Sequence, residues 1–239
     1  MNNLIIGVIV YNEEKRFLKS FLDSISKLTN KIVIVDDGST DNSLSICSKY
    51  TSNIYQTNRL YDKNEAELRK YLWDKTSLLA NNGDFIFNSD ADEIFTPNSL
   101  NYFEQCLYEC NKLGGDSISW IKYDMWNKTQ YREEPPLWTA SQRFWTWCVK
   151  YRKNYNYYWT NMKIHGGSVP INSYFCTLPT KLQIQHWAYS TPELRNEKIN
   201  FYKQYDPEAK FGNKKQYESI LDKNPILINF KDNFEDINE

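Results

Sequence analysis

No apolar run in this 239-residue chain is long enough to cross a bilayer, which takes roughly 20 consecutive residues. The opening, Met1-Asn2-Asn3-Leu4 through Tyr11, lacks the basic start of a secretory signal and breaks at Asn12, so it predicts a strand rather than an export leader. A lipid-linked or membrane-surface substrate would therefore be met from the surface. Excess charge of one sign is also missing, with 29 Lys and Arg against 30 Asp and Glu for a net charge of -1. That balance supplies no bulk attraction to nucleic acid or anionic lipid, and no nucleic-acid partner is expected. The five cysteines, Cys47, Cys106, Cys110, Cys148 and Cys176, are odd in number and scattered, with no zinc or disulfide spacing. They predict reduced thiols and a cytoplasmic location. There is no Gly-x-Gly-x-x-Gly, and Tyr11-Asn12-Glu13-Glu14 stands where a glycine-rich phosphate loop would follow the first strand. A dinucleotide-binding oxidoreductase is thereby excluded, and nucleotidyl transfer is disfavoured.

What is present is a hydrophobic fraction of 41%, enough for a sizeable core, and an aromatic fraction of 16%, which is high. Residues 4–11 form an Ile- and Val-rich run typical of a strand buried on both faces. Asn12 is placed to cap a following helix, with Glu13 and Glu14 in its first turn and Phe17, Leu18, Phe21, Leu22, Ile25 and Leu28 at helical spacing. Residues 31–35 read as a second strand, with Thr40 and Asp41 as caps of a helix that turns Leu44 and Ile46 inward. A third short strand is predicted at 54–56, a helix at 64–79 ended by Asn82-Gly83, and a fourth strand at 84–88. This alternation predicts an α/β fold with a mostly parallel sheet and helices on both faces. Ligands of such sheets bind at the carboxyl ends of the strands. Three polar turns fall there: Tyr11-Asn12-Glu13, Asp36-Asp37-Gly38 and Asp90-Ala91-Asp92.

Asp90 and Asp92 flank one small residue on a turn that leaves a strand. Two carboxylates at that spacing can face one site and suit Mg²⁺ or Mn²⁺, which keep positions open for phosphate oxygens. A divalent ion there would stabilise the charge gathered by a nucleotide diphosphate as it leaves. An isolated Asp-x-Asp is more often a solvated loop, and its position after the fourth strand is what favours the metal. In Asp36-Asp37-Gly38-Ser39 one carboxylate can accept from a base or a ribose hydroxyl while the other shapes the turn.

Three segments together, Val10-Tyr11-Asn12-Glu13-Glu14, Ile34-Val35-Asp36-Asp37-Gly38-Ser39-Thr40-Asp41 and Asp90-Ala91-Asp92-Glu93, resemble the family-2 glycosyltransferases of GT-A fold over roughly the first hundred residues. The resemblance implies that Tyr11, Glu13 and Asp37 contact the nucleoside of a nucleotide-sugar donor. It implies that Asp90 holds the ribose or a metal-bound water, and that Asp92 ligates the metal directly. Arg69 stands where such enzymes often carry a nucleotide-contacting arginine; the alternative is an exposed helical charge. Gln185-His186-Trp187 looks like the late histidine segment of some members, which makes His186 a further metal ligand.

A helix is expected at 98–113, strands and long loops from 117 to 187, and a helix at 190–205 opened by Thr191-Pro192. The halves of the one domain would divide as 1–115 for the nucleotide sugar and 116–210 for a glycan or glycoconjugate acceptor, with 211–239 a polar extension whose acidic end is loosely held. Seven of the eight tryptophans lie in the second half, and some are expected to wall the acceptor site, where flat rings stack on sugars. In Ile164-His165-Gly166-Gly167, Gly166 stands where sequences of the resembled family often carry an acidic residue just after this histidine. The proton acceptor for an inverting transfer is therefore open among His165, Asp124, Glu133 and Glu134. Arg143 is a candidate for the diphosphate or for a surface ion pair. The expected activity is metal-dependent transfer of a hexose from a UDP- or GDP-sugar to a saccharide, lipid-linked or protein acceptor. The alternative is a carbohydrate-binding protein on the same fold without turnover.

Overall fold

A computed structural model describes residues 3–232. Its centre is an eight-stranded sheet in the order β3-β2-β1-β4-β8-β6-β9-β5. The strands are β1 (Leu4–Val10), β2 (Ile32–Asp36), β3 (Ile54–Gln56), β4 (Phe85–Asp90), β5 (Glu93–Phe95), β6 (Ser117–Asp124), β8 (Phe144–Lys150) and β9 (Thr177–His186). β7 (Gln130–Arg132) and β10 (Leu227–Asn229) form a separate antiparallel pair. The helices are α1 (Leu18–Ile25), α2 (Ser43–Cys47), α3 (Glu65–Ser77), α4 (Pro97–Lys112), α5 (Pro192–Tyr205) and α6 (Lys214–Ser219).

The first four strands pair in parallel, as the βα alternation predicts. Alternate residues of β1 explain the two covered faces. Leu4, Ile6, Val8 and Val10 join Leu18, Phe21, Leu22 and Ile25 of α1 in one cluster, while Ile5 joins Leu68, Leu72 and Trp73 of α3 in another. The second half of the sheet is mixed: β8 runs antiparallel to β4 and β6, β9 parallel to β6, and β5 antiparallel to β9. This half carries the β5–β9–β6 register that brings the late histidine back to the acidic turn.

The longer helices are capped by side chains, whereas α2, expected to be capped by Thr40 or Asp41, starts after Asn42 with no side-chain cap. The side chains of Asn64, Thr96 and Thr191 each accept an N–H at the starts of α3, α4 and α5. The first helix differs. It starts at Leu18 rather than at Glu13, and Asn12 has a left-handed φ of 52°. The cause is competition for the loop amides. Asn12 N–H donates to Ser39 Oγ (3.0 Å), Glu13 N–H to Ser43 Oγ (2.8 Å) and Glu14 N–H to Asp41 Oδ2 (3.0 Å), so the β1 turn is laced to the β2 turn instead of winding into a helix.

α6 and β10 pack back on the second half, where Tyr217 and Ile220 join Trp126, Trp138, Tyr189 and Tyr202 in a third cluster. The acidic end of the chain lies outside the described residues. All five cysteines are free thiols, four of them buried. Among the described residues, no helix is long and apolar enough to cross a membrane.

Candidate active site

The carboxyl ends of β1, β2 and β4 open into a cleft of about 1210 Å³. Tyr11, Glu13, Asp37, Arg69, Asp90, Asp92, His165 and His186 all line it. The register does much of the gathering. Glu93 of β5 and Asp124 of β6 both align with His186 of β9, and Trp187 N–H donates to the Asp92 carbonyl at 2.9 Å. His186 Nδ1 lies 2.7 Å from Asp124 Oδ1, and its Nε2 lies 3.8 Å from Asp92 Oδ2. Burial alone would raise the Asp124 pKa, but the His186 hydrogen bond and nearby Lys122 hold it below the usual carboxylate value. Asp124 is thus an acceptor for Nδ1–H, and in a neutral imidazole the lone pair is then on Nε2, facing Asp92.

Among the described residues, no three His, Cys, Asp or Glu side chains are arranged to hold a metal by themselves. Asp92 and His186 therefore offer two protein donors, one oxygen and one nitrogen. Such a set suits Mn²⁺ or Mg²⁺ only when substrate phosphates or waters complete the shell, which is their usual habit. The buried Glu93 carboxyl beside them accepts from Ser89 Oγ (3.2 Å) and Asp90 N–H (3.3 Å). Burial first, and the Asp90 charge second, push it up to about 7.

Arg69 is buried, which removes the reading as an exposed helical charge. Its guanidinium donates to both oxygens of Asp90 (2.7 and 3.0 Å) and twice to Glu65 Oε1 (3.1 and 3.0 Å). Partial burial would raise the Asp90 pKa, yet the charge and hydrogen bonds of Arg69 outweigh it and the carboxyl stays below its ordinary range. In this arrangement Arg69 orients Asp90. Asp37 is similarly engaged: it accepts from Thr57 Oγ1 and from the backbone N–H of Leu60 (2.6 Å) and Tyr61 (3.0 Å), and so shapes the loop after β3. That loop carries Arg59, at a left-handed φ of 52°, whose guanidinium lies 3.6 Å from the ring centre of the exposed Tyr11. Glu13 Oε1 pairs with Arg16 (3.1 Å), while its Oε2 is buried without a partner among the described residues. Burial pushes Glu13 up to about 8 against the pull of Arg16, with Asp92, Asp90 and Asp41 adding to the rise.

His165 has a left-handed φ of 61° and faces the same cleft. The loop that carries it docks on the start of α3, where Glu65 N–H donates to the Lys163 carbonyl at 3.1 Å. Gly166 is the contact point. A Cβ there would come within 3.2 Å of the Ala66 backbone, so a side chain at this place would require the start of α3 to give way by a few tenths of an ångström. Of the other proton acceptors considered, Asp124 is occupied by His186. Glu133 is bonded by Ser141, Glu134 is paired with Arg132 (2.6 Å), and neither lines the cleft.

The sequence profile of glycosyl transferase family 2 matches residues 5–171. The chain belongs to this family. No curated protein matches it. Similar solved structures include TarS of S. aureus, at 17% identity and a TM-score of 0.49, covering 92% of this chain and 42% of that one. A shorter form of the same protein, TarS 1-349, gives a TM-score of 0.48 at 17% identity over 92% of this chain and 69% of that one. Glucosyl-3-phosphoglycerate synthase of Mycobacterium tuberculosis, in complex with Mn²⁺ and UDP-glucose, gives 22% identity and a TM-score of 0.35 over 51% of this chain and 44% of that one. The chain thus spans less than half the length of the full TarS chain.

In this family-2 chain most tryptophans of the second half serve packing. Trp120, Trp126 and Trp138 are buried, Trp159 packs on Trp73 and Trp187 on Phe17. Only Trp145 and Trp147 of the seven line the cleft, with Lys122 Nζ 4.3 and 5.2 Å from their ring centres. Arg143, also on the cleft wall, donates to Thr139 Oγ1 (2.6 Å) and has no carboxylate partner among the described residues. Sequence reasoning missed Arg59 and Lys198. Lys198 lies one helical turn after Leu194 on α5, lines the cleft, and feels the charges of Asp92 and Asp90. Its signal was the unbalanced lysine on the inward stripe Leu194, Lys198, Phe201, Tyr202.

Proposed function

We propose that the chain transfers a sugar from a nucleotide diphosphate donor, a UDP- or GDP-sugar, to a hydroxyl of a saccharide, lipid-linked or protein acceptor, with inversion at the anomeric carbon. The observation that carries this reading is the Asp92–His186 pair, oriented by Asp124 at the carboxyl ends of the strands in a family-2 chain. Asp92 and His186 would hold Mn²⁺ or Mg²⁺, which supplies Lewis-acid stabilisation of the departing diphosphate.

The remaining roles belong to side chains of this protein. Tyr11, on the loop side shaped by Asp37, offers an aromatic face to the nucleoside. Glu13 offers a buried, unpartnered oxygen suited to a ribose hydroxyl. Arg69 fixes Asp90 against the sugar–phosphate end of the site. Residues 116–210 would supply the acceptor side, with Trp145 and Trp147 as its flat walls. His165 would take the acceptor proton, since the other acids weighed for that role are paired or lie off the cleft.

Thermal shift with a panel of UDP- and GDP-sugars, with and without Mn²⁺, tests the reading, because a ligand of the folded state raises the melting temperature by mass action. The top donor is then assayed for release of its nucleotide. Asp92→Ala is expected to abolish both the metal-dependent shift and the turnover. Retention of both sinks the proposal, and sugar binding without turnover across a broad acceptor panel identifies a binding protein instead.

A further inference from the structure

Behind the exposed His165 runs a hydrogen-bonded chain through two buried side chains. The imidazole Nε2 lies 3.0 Å from the hydroxyl of Tyr217 on α6, and that hydroxyl lies 3.1 Å from Oδ2 of Asp206, just past the end of α5. Asp206 is buried, and its oxygens also accept the backbone N–H groups of Lys210 (2.7 Å), Phe211 (3.1 Å) and Gly212 (3.1 Å). A carboxylate oxygen that takes these amides is an acceptor, and the Tyr217 hydroxyl donates to it. The single hydroxyl proton of Tyr217 therefore points to Asp206. Its oxygen is left as the acceptor toward His165, so Nε2 must carry the hydrogen. In a neutral imidazole the lone pair then sits on Nδ1, which has no hydrogen-bond partner among the described residues.

The support for this geometry is stiff. Tyr217 stacks on Tyr202 with ring centres 3.8 Å apart and planes 9° from parallel. Gly212 leaves the space that the Tyr217 hydroxyl fills, since an added Cβ would overlap it. Burial raises the Tyr217 pKa, so the phenol keeps its proton. His186 is the opposite case, with Nδ1 turned to a carboxylate and Nε2 left free.

We propose that Asp206 and Tyr217 are positioning residues that hold His165 in its Nε2–H tautomer and present Nδ1 to the cleft as the proton acceptor. The proposal rests on the transferase reading above. In the step, the acceptor hydroxyl oxygen bonds to the anomeric carbon as the bond from that carbon to the diphosphate oxygen breaks, its electron pair leaving with the diphosphate. The hydroxyl proton passes to Nδ1, and the imidazolium later releases it to solvent. Facing the imidazole are Glu65 of α3, Lys122 of β6, Lys198 and Tyr202 of α5, Asp206 and Tyr217. Partial desolvation outweighs the two acids and, with the two lysines, holds His165 below its ordinary value.

The chain has only two histidines, so a long-range proton–nitrogen correlation spectrum of the full protein at about pH 8 reads both tautomers, assigned with His165→Gln. One Nε2–H form, from His165, and one Nδ1–H form, from His186, are expected. In Tyr217→Phe the His165 shifts are expected to move toward the average of two exchanging tautomers, with His186 unchanged. An Nδ1–H tautomer for His165 in the unaltered protein overturns the proposal, and that measurement stands even if Tyr217→Phe does not fold. An unchanged His165 tautomer in a folded Tyr217→Phe overturns it as well. With UDP-glucose and Mn²⁺, Tyr217→Phe is expected to lower kcat about tenfold or more while leaving the donor KM within about twofold. The two readings fail separately: lack of turnover in the unaltered protein counts against the transferase, and the wrong tautomer counts against the relay.

Discussion

Asp124 and His186 meet at 2.7 Å across the parallel register of β6 and β9, and this contact turns the other imidazole nitrogen toward Asp92. Carboxylates behind metal-binding imidazoles raise ligand basicity and fix the tautomer, and their loss commonly costs about 10–100-fold in metal affinity. Asp124→Asn is therefore expected to weaken Mn²⁺ binding by about that factor, read by calorimetric titration. The amide can still accept from Nδ1–H, but it no longer balances the charge gathered on the ring. An affinity unchanged within error would remove Asp124 from the proposed metal site.

Arg69 lies between Glu65 and Asp90, and its removal should be felt in stability before activity. The Glu65 side chain is 8% exposed and that of Asp90 41%, so the larger penalty falls on Glu65, which would be left buried without its cation. Breaking a buried pair by deleting one partner costs about 3–5 kcal/mol. Urea unfolding of Arg69→Met at neutral pH should show a loss of about that size, with partial recovery on adding Glu65→Gln. If Arg69→Met unfolds at the same urea concentration as the unaltered protein, the network contributes nothing measurable.

The acidic turns were legible because each is contiguous with a strand whose period marks its burial. Ile5, Ile6, Val8 and Val10 announce β1, and the polar residues after it must then sit at its carboxyl end. Partners from distant strands were not legible. Asp124 reads in isolation as one more acid that could take a proton, and only the β6–β9 register gives it to His186. Arg59 meets Tyr11 through a left-handed turn pinned by Asp37, a contact that no local periodicity encodes. Asn12 carried a sound capping signal, but Ser39, Asp41 and Ser43 outcompeted the helix for its amides and those of Glu13 and Glu14.

A substitution at Gly166 tests whether an acid beside His165 would serve as the proton acceptor instead. Introducing an acid with Gly166→Asp would press a side chain against Ala66 at the start of α3. Overpacking of this kind costs about 1–3 kcal/mol and would displace the neighbouring His165. A lower melting temperature and reduced turnover are expected. Higher turnover in Gly166→Asp would show that an acid at this place is the missing group and that His165 is not the acceptor.

Glu13 should give the active-site turn an unusual pH signature. Its folded pKa is raised from 4.5 to about 8, chiefly by burial. Below the unfolded value both states bind the proton, and the site carries no penalty. Between 4.5 and about 8 the unfolded chain has released that proton while the folded chain retains it, so the folded state loses ground as pH rises. The slope approaches about 1.4 kcal/mol per pH unit, and above the folded pKa the loss is constant. Glu13→Gln removes this titration while keeping the shape. The substitution is therefore expected to be close to neutral at about pH 4.5 and increasingly stabilising toward about pH 8, measured as the difference in urea unfolding free energy across that window. A difference that stays flat, or that shrinks as pH rises, would mean that the folded protein ionises Glu13 readily, with Arg16 rather than burial setting its charge.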